Sequence, residues 1–213
     1  MIDAYCERVG EGLLAEPLNA ISNISFLIAA WAAWRLAKRG ERLSPGILIL
    51  IGLDLLVGVG SILWHTYPND TTLIVDVVPI VLFIMWYVWL YARRVMAVGP
   101  LFAALFVFLF VSATYVALQY ASLLHGAPVY TPGLVVVFLM GLYHLATRKP
   151  AKLTLIAASG VYLTALFFRT IDNEVCPVWP LGTHFIWHSL VGFGTYIAAR
   201  GLVLAWRQKD ESV

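Results

Sequence analysis

Two histidines four residues apart, His184 and His188, head a long apolar stretch in the run Gly182-Thr183-His184-Phe185-Ile186-Trp187-His188-Ser189. On a helix they lie one above the other, with β-carbons roughly 5–6 Å apart, so both imidazoles can reach one metal ion. Ionisable groups inside a bilayer are expensive and call for a partner or a purpose. A further histidine, His65, closes another apolar stretch. Ser61 stands one helical turn before it on the same face. Asp76 falls about five residues into the next stretch, ~7 Å below its boundary at ~1.5 Å per residue. Three neutral imidazoles around an open fourth position make a catalytic zinc site, completed by water. Zinc lowers the pKa of that water to near 7. Asp76 is the candidate to take the proton, and Ser61 can steady an oxyanion. Asp76 could instead orient a ligand histidine, and Ser61 could be a small packing residue.

These residues have to be positioned by membrane helices. Of the 213 residues, 61% are hydrophobic and 12% charged, with a net charge of +2, and mean hydropathy is +0.84. Soluble domains run nearer about a quarter charged, so an all-α integral membrane protein is expected. No cleavable signal pattern precedes the first apolar run, so the N-terminus is expected to be retained. Nothing in the chain points to nucleic acid, and no protein partner is implied. Seven stretches are long enough to cross a bilayer, about 18–37, 45–65, 72–91, 100–120, 129–146, 153–171 and 181–205. Together they form one seven-helix domain over 1–213, with an arm at 1–16 and a tail at 206–213.

Every lysine and arginine except Arg8 and Arg169 falls at the first, third and fifth connections or the C-terminus. With seven crossings those regions share one side, which the positive-inside rule makes cytoplasmic. The N-terminus and the active site are then expected outside, in a multi-pass protein of the cell membrane. Both cysteines, Cys6 and Cys176, fall on that outer side, where an oxidising compartment permits a disulfide. Two free thiols are the alternative.

The segments Glu16-Pro17-Leu18-Asn19-Ala20-Ile21-Ser22-Asn23, Gly60-Ser61-Ile62-Leu63-Trp64-His65, Asp76-Val77-Val78-Pro79, Ile171-Asp172-Asn173 with Cys176, and His184-Phe185-Ile186-Trp187-His188 resemble the alkaline ceramidases. These belong to a superfamily of seven-helix hydrolase-like membrane proteins that includes the adiponectin receptors. The resemblance covers nearly the whole chain. It implies zinc held by His65, His184 and His188, a base at Asp76, an oxyanion-stabilising serine at Ser61 and a Cys6–Cys176 disulfide. It also implies calcium on the N-terminal arm, where Glu7 and Glu16 match two ligands and the Tyr5 carbonyl a third. That match is incomplete. Ala4 stands where an Asp is expected, with Asp3 one place away, Val9 stands where an Asn is expected, and the arm is about two residues shorter. Calcium needs six to eight oxygens.

The expected activity is zinc-dependent hydrolysis of a ceramide-like or other N-acyl lipid, drawn from the membrane lipids, to a fatty acid and a long-chain amine. The alternative is a non-enzymatic seven-helix lipid receptor or binding protein with a structural zinc. Asp54, midway along the second stretch, has no assigned role. His125 and His144 are read as structural, and Gly58, Gly60, Gly192 and Gly194 as sites of close helix packing.

Overall fold

The structure, a computed structural model, describes residues 5–8, 10, 12–39 and 43–210, with side chains described as far as 206. Helices α1 (Pro17–Ser22) and α2 (Ile24–Ala37) make the first span, followed by α3 (Pro45–Thr66), α4 (Asp70–Leu90), α5 (Pro100–Leu118), α6 (Thr131–Ala146), α7 (Thr154–Val175) and α8 (His184–Asp210). Seven of the described spans are long and apolar enough to cross a membrane. The first is broken at Asn23, whose side-chain amide donates to the Asn19 carbonyl at 2.8 Å. The third continues beyond α4 through a π-helical turn, Tyr91–Val95, and the fifth opens with a 3₁₀ segment, Leu124–Tyr130.

Prolines open α1, α3, α5 and α6, where a missing N–H leaves no helix bond unmade. Asn69 caps α4, its side-chain oxygen accepting from the N–H groups of Thr71 and Thr72 at 2.9 and 3.1 Å. That fixed start sets the depth of Asp76. Pro79 lies inside α4 and cannot donate to the Val75 carbonyl one turn back. The freed carbonyl lies against Gly60 of α3, where a Cβ would sit 2.2 Å from the Val75 oxygen. Glycine there lets α3 and α4 touch at the level of Ser61 and Asp76. Gly192 does the same for α8 against α2, since a Cβ there would meet the Ser25 hydroxyl at 2.4 Å. Gly58 lies close against Phe26, but Gly194 has only ordinary contact with Val161, so it is not a close approach.

The main apolar core sits toward the end of the bundle away from the three histidines, around Leu50, Tyr87, Tyr91, Leu155 and Leu202. His144 belongs to that end and is structural there. It is fully buried between the Tyr91 hydroxyl and the Pro150 carbonyl, both at 2.9 Å. Asp54 is buried in α3 and accepts from the Thr195 hydroxyl at 3.3 Å through one oxygen, while the other has no partner. Large exposed side chains such as Phe102, Phe108 and Tyr115 cover the outside of α5. On a membrane-spanning helix that face meets lipid.

Candidate active site

At the other end of the bundle, His65 from the last turn of α3 meets His184 and His188 from the first turns of α8. One ligating atom of each lies within 4.8 Å of the others, and all three residues are buried. The ring pairs His65–His188 and His184–His188 are edge-on, with centroids 4.7 and 4.4 Å apart. This is the one group of three metal-ligating side chains among the described residues.

A second layer of polar groups fixes the rings. His65 Nδ1 lies 2.5 Å from Glu16 Oε2, a carboxylate–histidine pair that leaves Nε2 free to ligate. Glu16 also accepts from Asn19 Nδ2 at 3.0 Å and from Arg8 Nε. Arg8 reaches across to the His65 carbonyl at 3.2 Å. Burial works against the Glu16 charge, but the hydrogen bond and charge of His65, with Asn19 and Arg8, outweigh it and hold the carboxyl below its ordinary range. On the other side, Ser22 Oγ lies 2.9 Å from His188 Nδ1 and donates its own proton to the Asn19 carbonyl. Asn23 Nδ2 lies 3.3 Å from the same ring nitrogen, so His188 is held through Nδ1 by two side chains of the first span. The Tyr5 ring stacks on His184 at 3.9 Å, while His184 Nδ1 is buried with no partner. Three buried imidazoles, two held through Nδ1 and the third with a buried Nδ1 that has no partner, suit a metal ion.

The N-terminal arm is held over this cluster. A Cys6–Cys176 disulfide ties it to the segment after α7. Asp172 bonds both partners of the junction, accepting from Cys6 N at 3.1 Å and from the N–H groups of Thr183 and His184 at 2.6 and 2.9 Å. It thereby satisfies the open amides where α8 begins. Gly182, at φ +63°, makes that turn, and a Cβ there would strike Asp172 at 2.2 Å.

The residues expected to bind calcium are placed differently from the zinc candidates. Glu7 turns inward and caps α1, accepting from Leu18 N at 2.7 Å and Asn19 N at 2.8 Å. Burial raises its carboxyl above the ordinary range although those two amides oppose the shift. Both oxygens of Glu16 are taken by Arg8, His65 and Asn19, and Tyr5 enters the site through its ring. Asp3 lies outside the described residues. Among the described residues, these carboxylates are thus engaged by a guanidinium, an imidazole and backbone N–H groups.

A cavity runs from this cluster into the bundle. Its polar end holds Tyr5, Ser61, His65, Asp76, His184 and His188, and its far end is lined by Phe26, Val57, Phe83, Tyr87 and Ala198. The zinc-ligand, base and oxyanion candidates thus share one chamber, with Ser61 and Asp76 both lining it and Asp76 Oδ1 buried without a partner. Burial pushes the Tyr5 phenol up to about 12, with the Arg169 cation pulling the other way, so Tyr5 remains a neutral donor at physiological pH. His125 lies apart, paired with the exposed Glu174 at 3.2 Å. Sequence reasoning missed Arg8, Ser22, Asp172 and Arg169 as parts of this end. Arg8 and Arg169 carried a signal as the two cations outside the basic clusters, and Ser22 and Asp172 lie in segments that carry the resemblance.

No curated protein matches the chain. A family model described as Ceramidase matches residues 4–212, nearly its full length. That match takes in the histidine cluster, the apolar cavity and the membrane-spanning helices that frame them, and on it the chain belongs to the ceramidase family.

Proposed function

We propose that this protein is a zinc-dependent hydrolase that cleaves the amide of a ceramide-like or other membrane N-acyl lipid to a fatty acid and a long-chain amine. The carrying observation is the meeting of three buried histidines with Asp76 and Ser61 at the polar end of a long apolar cavity. His65, His184 and His188 would hold the metal, and zinc suits an all-imidazole donor set. When bound, zinc supplies a Lewis acid for the carbonyl and acidifies water toward neutrality.

The chain's own residues do the rest. Asp76 takes the proton from the attacking water and returns it to the leaving amine nitrogen. Ser61 donates to the oxygen on which charge develops. The acyl chain lies along Phe26, Val57, Phe83 and Tyr87, over a depth of ~15 Å for the ten residues from His188 to Ala198 at ~1.5 Å each. The basic connections face the cytoplasm, so the site opens on the outer side of the cell membrane.

The test is product analysis on purified protein, zinc-loaded and zinc-stripped, with palmitoyl amides and esters as substrates. Release of palmitate and free amine only with zinc is expected. Lipid binding without turnover in the loaded protein would refute the hydrolase and leave a receptor or binding protein.

A further inference from the structure

Arg169 stands apart from the chain's basic clusters, and the structure puts it in the cavity. It lies on α7 about 9 Å below that helix's end at ~1.5 Å per residue. Its Nη2 donates to the His125 carbonyl at 3.4 Å, and its guanidinium carbon lies 4.6 Å from the Tyr130 ring and 5.7 Å from Trp187. Tyr5 and Asp76 line the same chamber. Among the described residues no carboxylate comes within 4.0 Å of it, and Nε is buried with no partner. Two aromatic faces help hold a cation. They do not satisfy a guanidinium's in-plane donors, whose geometry matches a carboxylate or phosphate. A buried cation that no carboxylate contacts gains from a ligand that brings an anionic oxygen to its free donors.

The cavity gives that ligand a direction. Its apolar arm takes an acyl chain inward from the histidines. Arg169, Tyr130 and Trp187 line the chamber beside the histidines, where the group on the amide nitrogen has to lie. We propose that Arg169 selects N-acyl lipids whose head carries an anionic oxygen group, carboxylate or phosphate, close to the amide. The cleavage chemistry rests on the hydrolase reading above, but the selectivity does not.

The test therefore begins with binding. Zinc-stripped protein in detergent is titrated calorimetrically with N-palmitoylglycine, N-palmitoyl-phosphoethanolamine and neutral N-palmitoylethanolamine. At least one anionic amide is expected to bind 10-fold or more tighter than the neutral one, and the better of the two identifies carboxylate or phosphate. Arg169→Gln should collapse that ratio toward one, while Arg169→Lys should keep part of it. Equal affinities in the native protein, or a ratio that survives Arg169→Gln, would overturn the proposal. Turnover by the zinc-loaded protein separates the two readings. Cleavage of all three amides at equal kcat/KM would leave the hydrolase standing and sink the selectivity. Anion-selective binding with no cleavage would do the reverse.

Discussion

Replacing Glu16 with Gln removes one charge from a buried chain of contacts and leaves its shape. Glu16, His65 and Arg8 are exposed by only 2%, 1% and 6%. Two effects follow, and they are separable. The first is on metal affinity. A Gln carbonyl can still accept from His65 Nδ1, but without the negative charge that makes the imidazole a better ligand. Loss of such an outer partner typically weakens metal binding by about 10–100-fold, or about 1.4–2.7 kcal/mol. The second is on stability. Arg8 loses its counter-ion while staying buried, and breaking a buried pair from one side typically costs about 3–5 kcal/mol.

The two effects call for different rescues. Adding Arg8→Met to Glu16→Gln removes the stranded charge, so stability should recover in part while zinc affinity stays low. The assays are zinc competition against a chelator and thermal unfolding in the same detergent. Glu7→Gln is the control, because Glu7 bonds backbone amides of α1 and touches no histidine. It should lower stability modestly and leave zinc affinity unchanged. If Glu16→Gln binds zinc within twofold of the native protein, the carboxylate does not tune His65 and the reasoning fails.

The other predictions concern the inner site and its frame. His188→Ala should abolish stoichiometric zinc by elemental analysis, and retained zinc would remove His188 from the ligand set. Asp76→Asn should keep zinc and lose about 10²–10⁴-fold in turnover; loss of zinc together with activity would make Asp76 an anchor for the metal site instead. Gly60→Ala places a methyl 2.2 Å from the Val75 carbonyl, so α3 and α4 must part, at about 1–3 kcal/mol and with a fall in kcat. Unchanged kinetics would show that their contact does not position Ser61 against Asp76. Cys6→Ser opens a link across 170 residues, worth about 5 kcal/mol in a soluble chain. A bilayer already holds the helices together, so a smaller loss is expected, with weaker zinc binding as the arm lifts. Mass mapping that finds both thiols free in native protein would refute the tie.

Most of the frame was legible because it is written locally. Each span is a near-continuous apolar run, and the bilayer allows little but helix for it. The misplaced edges are where polar side chains decide. Asn23 bonding Asn19 splits the first span, and Asp172 holding the Thr183 and His184 amides starts α8 at His184, three residues beyond the apolar pattern's beginning at 181. The inner site was legible because helical spacing puts His184 over His188 and Ser61 one turn from His65. The outer layer was not, because its pairs join distant positions. Glu16 and His65 are 49 residues apart, and Ser22 and His188 are 166 apart. No periodicity reaches that far, and the arm's acidic residues read equally well as calcium ligands.

That outer layer also explains how an arm with so little apolar surface can close a metal site. Among the described residues, its polar contacts with the bundle are directional. Glu7 caps α1, Glu16 and Arg8 grip the end of α3, and Asp172 bonds the Cys6 amide while holding the first turn of α8. The three helices that present the histidines and their supports are therefore fastened through one short segment. The Arg8 guanidinium bridges the Glu16 carboxylate and the His65 carbonyl from within the chain. Arg8 is always charged at physiological pH and cannot dissociate. The positions of Glu16 and the His65 carbonyl are thus set by folding and do not depend on ion concentration. The support of His65 is therefore built from groups within the chain itself, which ties the geometry of the histidine cluster to the folding of the arm.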